Sequence, residues 1–324
     1  MREGPSVIVT VTLNPAIDQT VAVDRLIEGD TNHVTSMRID IGGKGINVAR
    51  GLKELGYEPL AMGFAPGDMG RVIEDHLRDL GIGSDFTFIN GHTRTNVTII
   101  DREQQQHTVL RAKGPNVTGD DLRHLYQSID RRLRPETWLV LAGSLPPPCT
   151  GEVYRILIDH AESNGAFSAM DADGPIVRDV LEWGGRPKLV KVNDDELSRV
   201  FGAPVETEEQ VIDAAQVLRD LGVPAVVVTR GADGAIALTE DGDYRVHTPS
   251  MRVVSAIGAG DAFLAGLLFS LRKGESWPEA LRQGGAAGCA CCLTPGNTPP
   301  HAHDMTRLRS DITVERIAQR TSSR

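Results

Sequence analysis

In Ala256-Ile257-Gly258-Ala259-Gly260-Asp261-Ala262-Phe263, two glycines precede an aspartate, and an apolar run over 262–271 follows. Glycines at a helix start let the backbone approach a ligand and turn its free N–H groups toward it. Such an end is a ready anion site, suited to phosphate. A carboxylate at the same point would repel a phosphate that was merely bound. It makes sense if Asp261 takes the proton of an attacking hydroxyl while the N–H groups stabilise a phosphoryl group in transfer. The plain alternative is a glycine cap running into an acidic cap, with no ligand.

Three further polar clusters accompany it. Gly42-Gly43-Lys44-Gly45-Ile46-Asn47 is a second glycine turn feeding a helical pattern. Lys191-Val192-Asn193-Asp194-Asp195-Glu196 follows the apolar pair Leu189-Val190, and Thr12-Leu13-Asn14-Pro15-Ala16-Ile17-Asp18 lies near the start. In order and spacing, the four clusters resemble the ribokinase-like carbohydrate kinases of the PfkB family over about residues 7–318. The Thr-Leu-Asn-Pro-Ala-Ile-Asp opening and the Gly-Gly-Lys-Gly turn look most like 1-phosphofructokinases, with tagatose-6-phosphate kinases close behind.

The resemblance implies a role for each residue. Asp261 would be the general base, kept ionised near neutral pH by the positive end of its helix. The backbone of Ile257, Gly258, Ala259 and Gly260 would form the anion hole. Asn193 and Glu196 match an N-x-x-E motif that orders Mg²⁺ and its waters. The same pair also reads as a capping box on a helix start, and both roles can hold at once. Thr229 and Gly231, in Thr229-Arg230-Gly231, would hold nucleotide phosphate together with Lys191; a simple turn closed by Gly234 is the alternative. On the sugar side, Asp18 would accept hydrogen bonds from substrate hydroxyls, and Gly43, Lys44 and Asn47 would line the same pocket. Arg94 would grip a phosphate already on the substrate, because a guanidinium fork donates two parallel hydrogen bonds. Read singly, Asp18 is a turn aspartate, and Lys44 and Arg94 are solvated charges.

Four positions depart from the family pattern. Ala256 stands where threonine is usual, His33 where arginine is frequent, and Pro148 where glycine is usual. Arg111 occupies a segment where asparagine is common and could restore the cation that His33 lacks. These changes spare the transfer machinery and blur the identity of the sugar. ATP and Mg²⁺ are the implied cofactors, with room for a monovalent cation.

The glycines fit neither of two other nucleotide architectures. The first strand runs into Asn14-Pro15-Ala16 rather than a G-x-G-x-x-G turn. No G-x-x-x-x-G-K-[ST] occurs, so a P-loop is excluded.

Composition narrows the partners. The chain has 324 residues, 40% of them hydrophobic, and a net charge of −10. That charge disfavours nucleic acid and anionic membrane as partners, and leaves local lysines and arginines to draw in an anionic substrate. No apolar run approaches a bilayer span, and the first residues show no signal-peptide core, so a cytoplasmic protein is expected. Three of the four cysteines crowd into Gly288-Cys289-Ala290-Cys291-Cys292, with His301 and His303 beyond. Their spacing fits no standard zinc pattern, and they read as small buried residues of a reducing compartment.

The elements that must position these residues alternate. Strands are expected at 7–13, 60–64, 138–142, 166–171, 188–191 and 225–229. Helices are expected at 47–55, 70–80, 119–133, 150–164 and 207–221. This predicts one α/β domain over 1–324: a doubly wound, mostly parallel sheet with helices on both faces. Two exposed pieces break the pattern, within about 16–40 and 94–113, the second a hairpin around Asp101-Arg102-Glu103-Gln104. In the resembled family such strands form a small β-sheet lid over the sugar, and an unpaired sheet of this kind predicts a homodimer joined through it. The charged tail after Pro300 is expected to carry one short helix before the polar Thr321-Ser322-Ser323-Arg324.

The function implied is ATP-dependent phosphorylation of a ketohexose phosphate, with fructose 1-phosphate giving fructose 1,6-bisphosphate as the leading case. The alternatives keep the chemistry and change the acceptor: tagatose 6-phosphate, fructose 6-phosphate, or a free sugar or nucleoside. A different kind of alternative is a sugar or nucleotide sensor without catalysis, against which intact Asp261, Asn193 and Glu196 argue.

Overall fold

The strand sequences divide their side chains between two cores by simple alternation. The computed structural model describes residues 7–318. Within it Val9 and Val11 of the first strand enter one core and Ile8 the other. Leu139 and Leu141 likewise oppose Trp138, Val140 and Ala142, and Val226 and Val228 oppose Ala225 and Val227. Strands buried on both faces in this way belong inside a parallel sheet covered by helices.

The elements run β1 (Ile8–Thr12), β2 (Ala16–Val23), β3 (Ser36–Gly42), α1 (Lys44–Glu54), β4 (Leu60–Pro66), α2 (Gly67–Asp79), β5 (Gly83–Ile89), β6 (Arg94–Asp101) and β7 (Gln106–Leu110). There follow α3 (Gly119–Asp130), β8 (Trp138–Ala142), α4 (Gly151–Ser163), β9 (Phe167–Asp171), α5 (Gly174–Glu182), β10 (Leu189–Asn193), α6 (Asp194–Phe201), α7 (Glu208–Asp220) and β11 (Ala225–Thr229). The chain closes with β12 (Ala235–Thr239), β13 (Gly242–His247), α8 (Ala259–Arg272), α9 (Trp277–Cys291), α10 (Ala302–Leu308) and β14 (Thr313–Arg316).

The large sheet has ten strands in the order β14-β13-β12-β11-β10-β9-β8-β1-β4-β5. From β11 to β5 the neighbours are parallel, and β12, β13 and β14 extend the sheet antiparallel. The order reverses beside β1, where the chain first goes to β4 and later returns at β8. Ligands of such sheets bind in the crevice at the carboxyl ends of the strands around this point.

A second sheet, β3-β2-β6-β7, stands apart from the first. It is the expected lid, and its β6–β7 hairpin pairs Asp101 with Gln106 at the closed end. Its register sorts the side chains: Asp18 lies opposite Asn96 and Asp40, while Gln19 lies opposite Val97 and Ile39. One face is therefore polar, with Asp18, Arg94, Asn96 and Arg38. The other carries Ile17, Val21, Met37, Ile39, Val97 and Leu110.

Several elements go beyond the sequence reading. β5 alternates polar and apolar residues at a sheet edge, and β12–β14 are a short antiparallel extension with no helix between strands to announce them. α5 is short, but Asp173 caps it and Pro175 stands in its first turn, both ordinary helix-start signals. The tail holds the expected helix, α10, and then β14 pairs with β13; residues 321–324 lie outside the described residues. No helix among the described residues is long and apolar enough to cross a membrane.

Candidate active site

The carboxyl ends of three parallel strands and the start of α8 meet at one place. β9 ends in Asp171, β10 carries Lys191 and ends in Asn193, and β11 ends in Thr229. α8 starts from Gly258, which holds a left-handed conformation at φ 80°. Within this turn Ile257 N–H donates to Ser255 Oγ at 3.2 Å, and Ala259 N–H to the Ala256 carbonyl at 3.3 Å. Of the four residues expected to form the anion hole, Ile257 and Ala259 thus spend their amides locally. The amides of Gly258, Gly260 and Asp261 meet no acceptor among the described residues. A β-carbon on Gly260 would lie 2.6 Å from Lys191 Nζ, so the ammonium rests against the turn.

Asp261 is 7% exposed. Its Oδ2 accepts from Asn47 Nδ2 at 2.7 Å. Burial, reinforced by the charge of Asp171 and opposed by Lys44, Lys191 and the Asn47 bond, pushes its pKa up to about 6. It remains mainly ionised at pH 7. Asp261 lies in the first turn of α8, as expected, and Lys44, Lys191 and the Asn47 bond also favour its charge against desolvation. Asn47, expected against the sugar, is turned to Asp261.

Asp171 sits at the middle of the charges with no exposure at all. Its oxygens accept from Lys44 Nζ at 2.6 Å and Lys191 Nζ at 2.9 Å. Burial works against its charge, but the two ammonium groups outweigh it and hold the carboxyl below the ordinary range. Lys44 also donates to Glu196 Oε1 at 2.7 Å. Burial would discharge Lys44, yet Asp171, Glu196 and Asp261 together hold it protonated. The lysine expected to face the sugar is committed to carboxylates. Sequence reasoning missed Asp171 as a site residue; the available signal was a carboxylate ending an apolar strand.

Asn193 and Glu196 form a complete capping box on α6. Asn193 Oδ1 accepts from Glu196 N–H at 2.7 Å, and Glu196 Oε2 accepts from Asn193 N–H at 2.9 Å. Both Glu196 oxygens are engaged, and no three His, Cys, Asp or Glu side chains among the described residues converge as a metal cage. That donor set suits a hard ion that keeps its waters and takes phosphate oxygens, as Mg²⁺ does. Thr229 Oγ1 donates to the Val192 carbonyl at 3.4 Å, and Gly231 opens the following turn onto open space.

The polar face of the lid supplies the other half. The Asp18 carboxylate packs on Gly42, where a β-carbon would come within 2.0 Å of Oδ2. Its Oδ1 accepts from Asn96 Nδ2 at 2.8 Å. Burial raises its pKa, against the pull of Asn96, Arg94 and Arg111. Arg94 donates to the Asn14 carbonyl at 3.0 Å and the Ala112 carbonyl at 3.4 Å, while its buried Nε has no partner. Among the described residues no carboxylate pairs with the Arg94 guanidinium, and Arg111 beside it is exposed. Gly43 holds φ 137° above Thr12, where the chain turns from the lid into α1. Cys289 and Cys291 are buried free thiols behind the turn, and burial pushes the Cys291 thiol up to about 12.

This arrangement can do two things at once: remove a proton at Asp261 and hold anionic oxygens at the α8 turn and at Arg94. The sequence pattern of the pfkB family carbohydrate kinases matches residues 9–304. Phosphofructokinase-2 of Escherichia coli, solved in complex with potassium, superposes with a TM-score of 0.87 at 26% identity, covering 94% of this chain and 99% of that one. A tetrameric inhibited form of the same protein superposes with a TM-score of 0.86 at 27% identity, over the same shares. A possible 1-phosphofructokinase of Thermotoga maritima gives 0.82 at 25% identity, covering 96% and 100%. The ribokinase of Arabidopsis thaliana, complexed with ribose and ATP, gives 0.78 at 25%, covering 94% and 99%.

Proposed function

Because this chain belongs to the pfkB family of carbohydrate kinases, we propose that it moves the terminal phosphoryl group of ATP to a primary hydroxyl of a ketohexose phosphate. Fructose 1-phosphate is the first candidate, with fructose 1,6-bisphosphate as product. The family and the phosphofructokinase neighbours make it a phosphotransferase with an alcohol acceptor, a sugar-phosphate kinase. The observation that carries the finer reading is a buried carboxylate, Asp261, in the same helical turn as unpartnered amides and with Lys191 against Gly260.

Asp261 accepts the hydroxyl proton. A carboxylate is a weak base for an alcohol, so the proton moves late, as the oxygen bonds to phosphorus and becomes acidic. The amides of Gly258 and Gly260, with Lys191, meet the charge on the transferring oxygens. Asp171 keeps Lys44 and Lys191 in place between transfers. Asn193 and Glu196 would order Mg²⁺ through water, and the ion would neutralise charge between the phosphates. Thr229 and Gly231 would lie along the nucleotide phosphates. Asp18 accepts from sugar hydroxyls, with Gly43 and Asn47 at the edge of the same pocket. Arg94 and Arg111 hold the phosphate already on the sugar. A monovalent cation belongs to this proposal, since the Escherichia coli neighbour was solved with potassium; replacing K⁺ by Na⁺ in the assay tests it. A kinase drawing on ATP and sugar phosphates would work in the cytoplasm.

The lid supports a homodimer. Met37 and Ile39 are each 59% exposed and Leu110 54%, all on its apolar face. Such a face on a small sheet invites a second copy. Sedimentation at micromolar concentration is expected to show a dimer, and Met37→Glu with Ile39→Glu to dissociate it.

The test of the activity is ADP release with fructose 1-phosphate, tagatose 6-phosphate, fructose 6-phosphate, free fructose and a nucleoside. Turnover fastest on fructose 1-phosphate is expected. Faster turnover of free fructose or the nucleoside overturns the sugar-phosphate reading.

A further inference from the structure

Between α9 and α10 the chain crosses the back of the site in Thr294-Pro295-Gly296-Asn297-Thr298. Asn297 is 5% exposed. Its Nδ2 donates to Asn47 Oδ1 at 3.0 Å and to the Ile41 carbonyl at 3.2 Å. Its Oδ1 lies against Gly258, 3.1 Å from where a β-carbon there would stand. The segment is pinned from three sides: Arg50 donates to the Asn297 carbonyl at 3.0 Å, Arg38 of the lid to Thr298 Oγ1 at 2.7 Å, and Ser255 Oγ to the Gly296 carbonyl at 3.1 Å.

These contacts decide which way an amide points. Asn297 faces two oxygens, so its NH₂ group must be toward them; turned over, its own oxygen would meet both. Asn47 then presents its oxygen to Asn297, which leaves its NH₂ to donate to Asp261. Without Asn297, Asn47 could rotate and show Asp261 an acceptor, which favours the protonated acid. We infer that Asn297 is a positioning residue for phosphoryl transfer, acting through Asn47 to keep Asp261 an ionised hydrogen-bond acceptor. The consequence for rate rests on the kinase reading above; the consequence for Asp261 does not.

The other charged and titratable groups around Asp261 are Lys44 on α1, Asp171 on β9, Lys191 on β10 and Cys291 on α9. None touches Asn297 in a hydrogen bond, so a variant at 297 leaves them in place. The experiment follows the Asp261 carboxyl carbon by ¹³C NMR across pH, the resonance being identified by its loss in Asp261→Asn. Asn297→Leu removes the donor in a side chain of similar size, and Asn297→Ala removes it with less bulk; neither adds a charge. Each is expected to raise the Asp261 midpoint by about one pH unit, tenfold in proton affinity, the loss of one bond to a charged group. The acid limb of kcat is expected to move with it. In an Asn47→Ala background, Asn297→Leu is expected to add nothing.

An unmoved midpoint in Asn297→Leu, whatever happens to thermal stability, overturns the inference. An equal shift with Asn47 absent does so too, because Asn297 would then act by another route. If Asn297→Leu does not fold, Asn297→Ala decides. If the wild type shows no turnover, the kinase reading fails while the NMR titration still judges Asn297.

Discussion

The buried charges at the start of α8 and the polar face of the lid are built in opposite ways. At the first, Asp171, Lys44, Lys191, Glu196 and Asp261 all have partners, and Asp171 has no exposure. At the second, Arg94 has a buried Nε with no partner, and Arg111 is exposed. A fully partnered buried network is costly to alter and fixes geometry, which suits a step common to every phosphoryl transfer. Unspent donors on a half-buried sheet suit the choice of acceptor. Under the proposed function, the difference assigns chemistry and choice of sugar to separate parts.

The largest expected effect breaks the first part. Asp261→Asn is expected to lower kcat by roughly 10²–10⁴ while nucleotide affinity stays. Retention of more than about a tenth of the activity contradicts the base assignment. In the wild type, kcat is expected to fall as pH drops through about 6, where Asp261 takes up a proton. The stability effect has the opposite sign. A carboxyl raised on folding binds more protons in the native state, so its contribution to stability grows as pH falls from 7 toward 4. Asp261→Asn is therefore expected to melt no lower than the wild type at pH 7.

Asp171→Ala comes next. It strands two ammonium groups and is expected to cost about 3–5 kcal/mol in urea unfolding. The lowered pKa of Asp171 sets the pH window. The stability it adds is present above the unfolded value of about 3.9 and is lost as pH falls through the lower native one. A loss already complete at pH 6 would show that Asp171 is not held by the lysines.

Glu196→Gln is smaller. The Mg²⁺ concentration for half-maximal rate is expected to rise a few-fold, with sugar affinity little changed. If only the melting temperature falls, the capping box is the whole role of Asn193 and Glu196.

Legibility followed the same division. Gly258 to Asp261 and the Asn193–Glu196 spacing were readable because local chemistry, a helix start or a capping box, fixes them within a few residues. The alternating strands around the switch point were readable from their apolar runs. Asp171 and Asn297 were not, because their meaning depends on contacts far along the chain: Asp171 with Lys44, and Asn297 with Asn47. Lys44 looked free to meet a sugar for the same reason. The edge strands β5 and β14 and the neighbouring β13 escaped because half-exposed, mixed sequences resemble loops, and β12, though fully buried, because it is a five-residue run after a tight turn.

The separation itself is tested most directly by one ratio, kcat/KM for fructose 1-phosphate over free fructose, in the wild type, Arg94→Met and Glu196→Gln. One charge-assisted hydrogen bond is worth about 1.5–3 kcal/mol, more than tenfold. The ratio is expected to fall at least about tenfold in Arg94→Met and to hold in Glu196→Gln, which slows both sugars alike. An unchanged ratio in Arg94→Met, or an equal fall in both variants, would contradict the division between a part that transfers and a part that chooses.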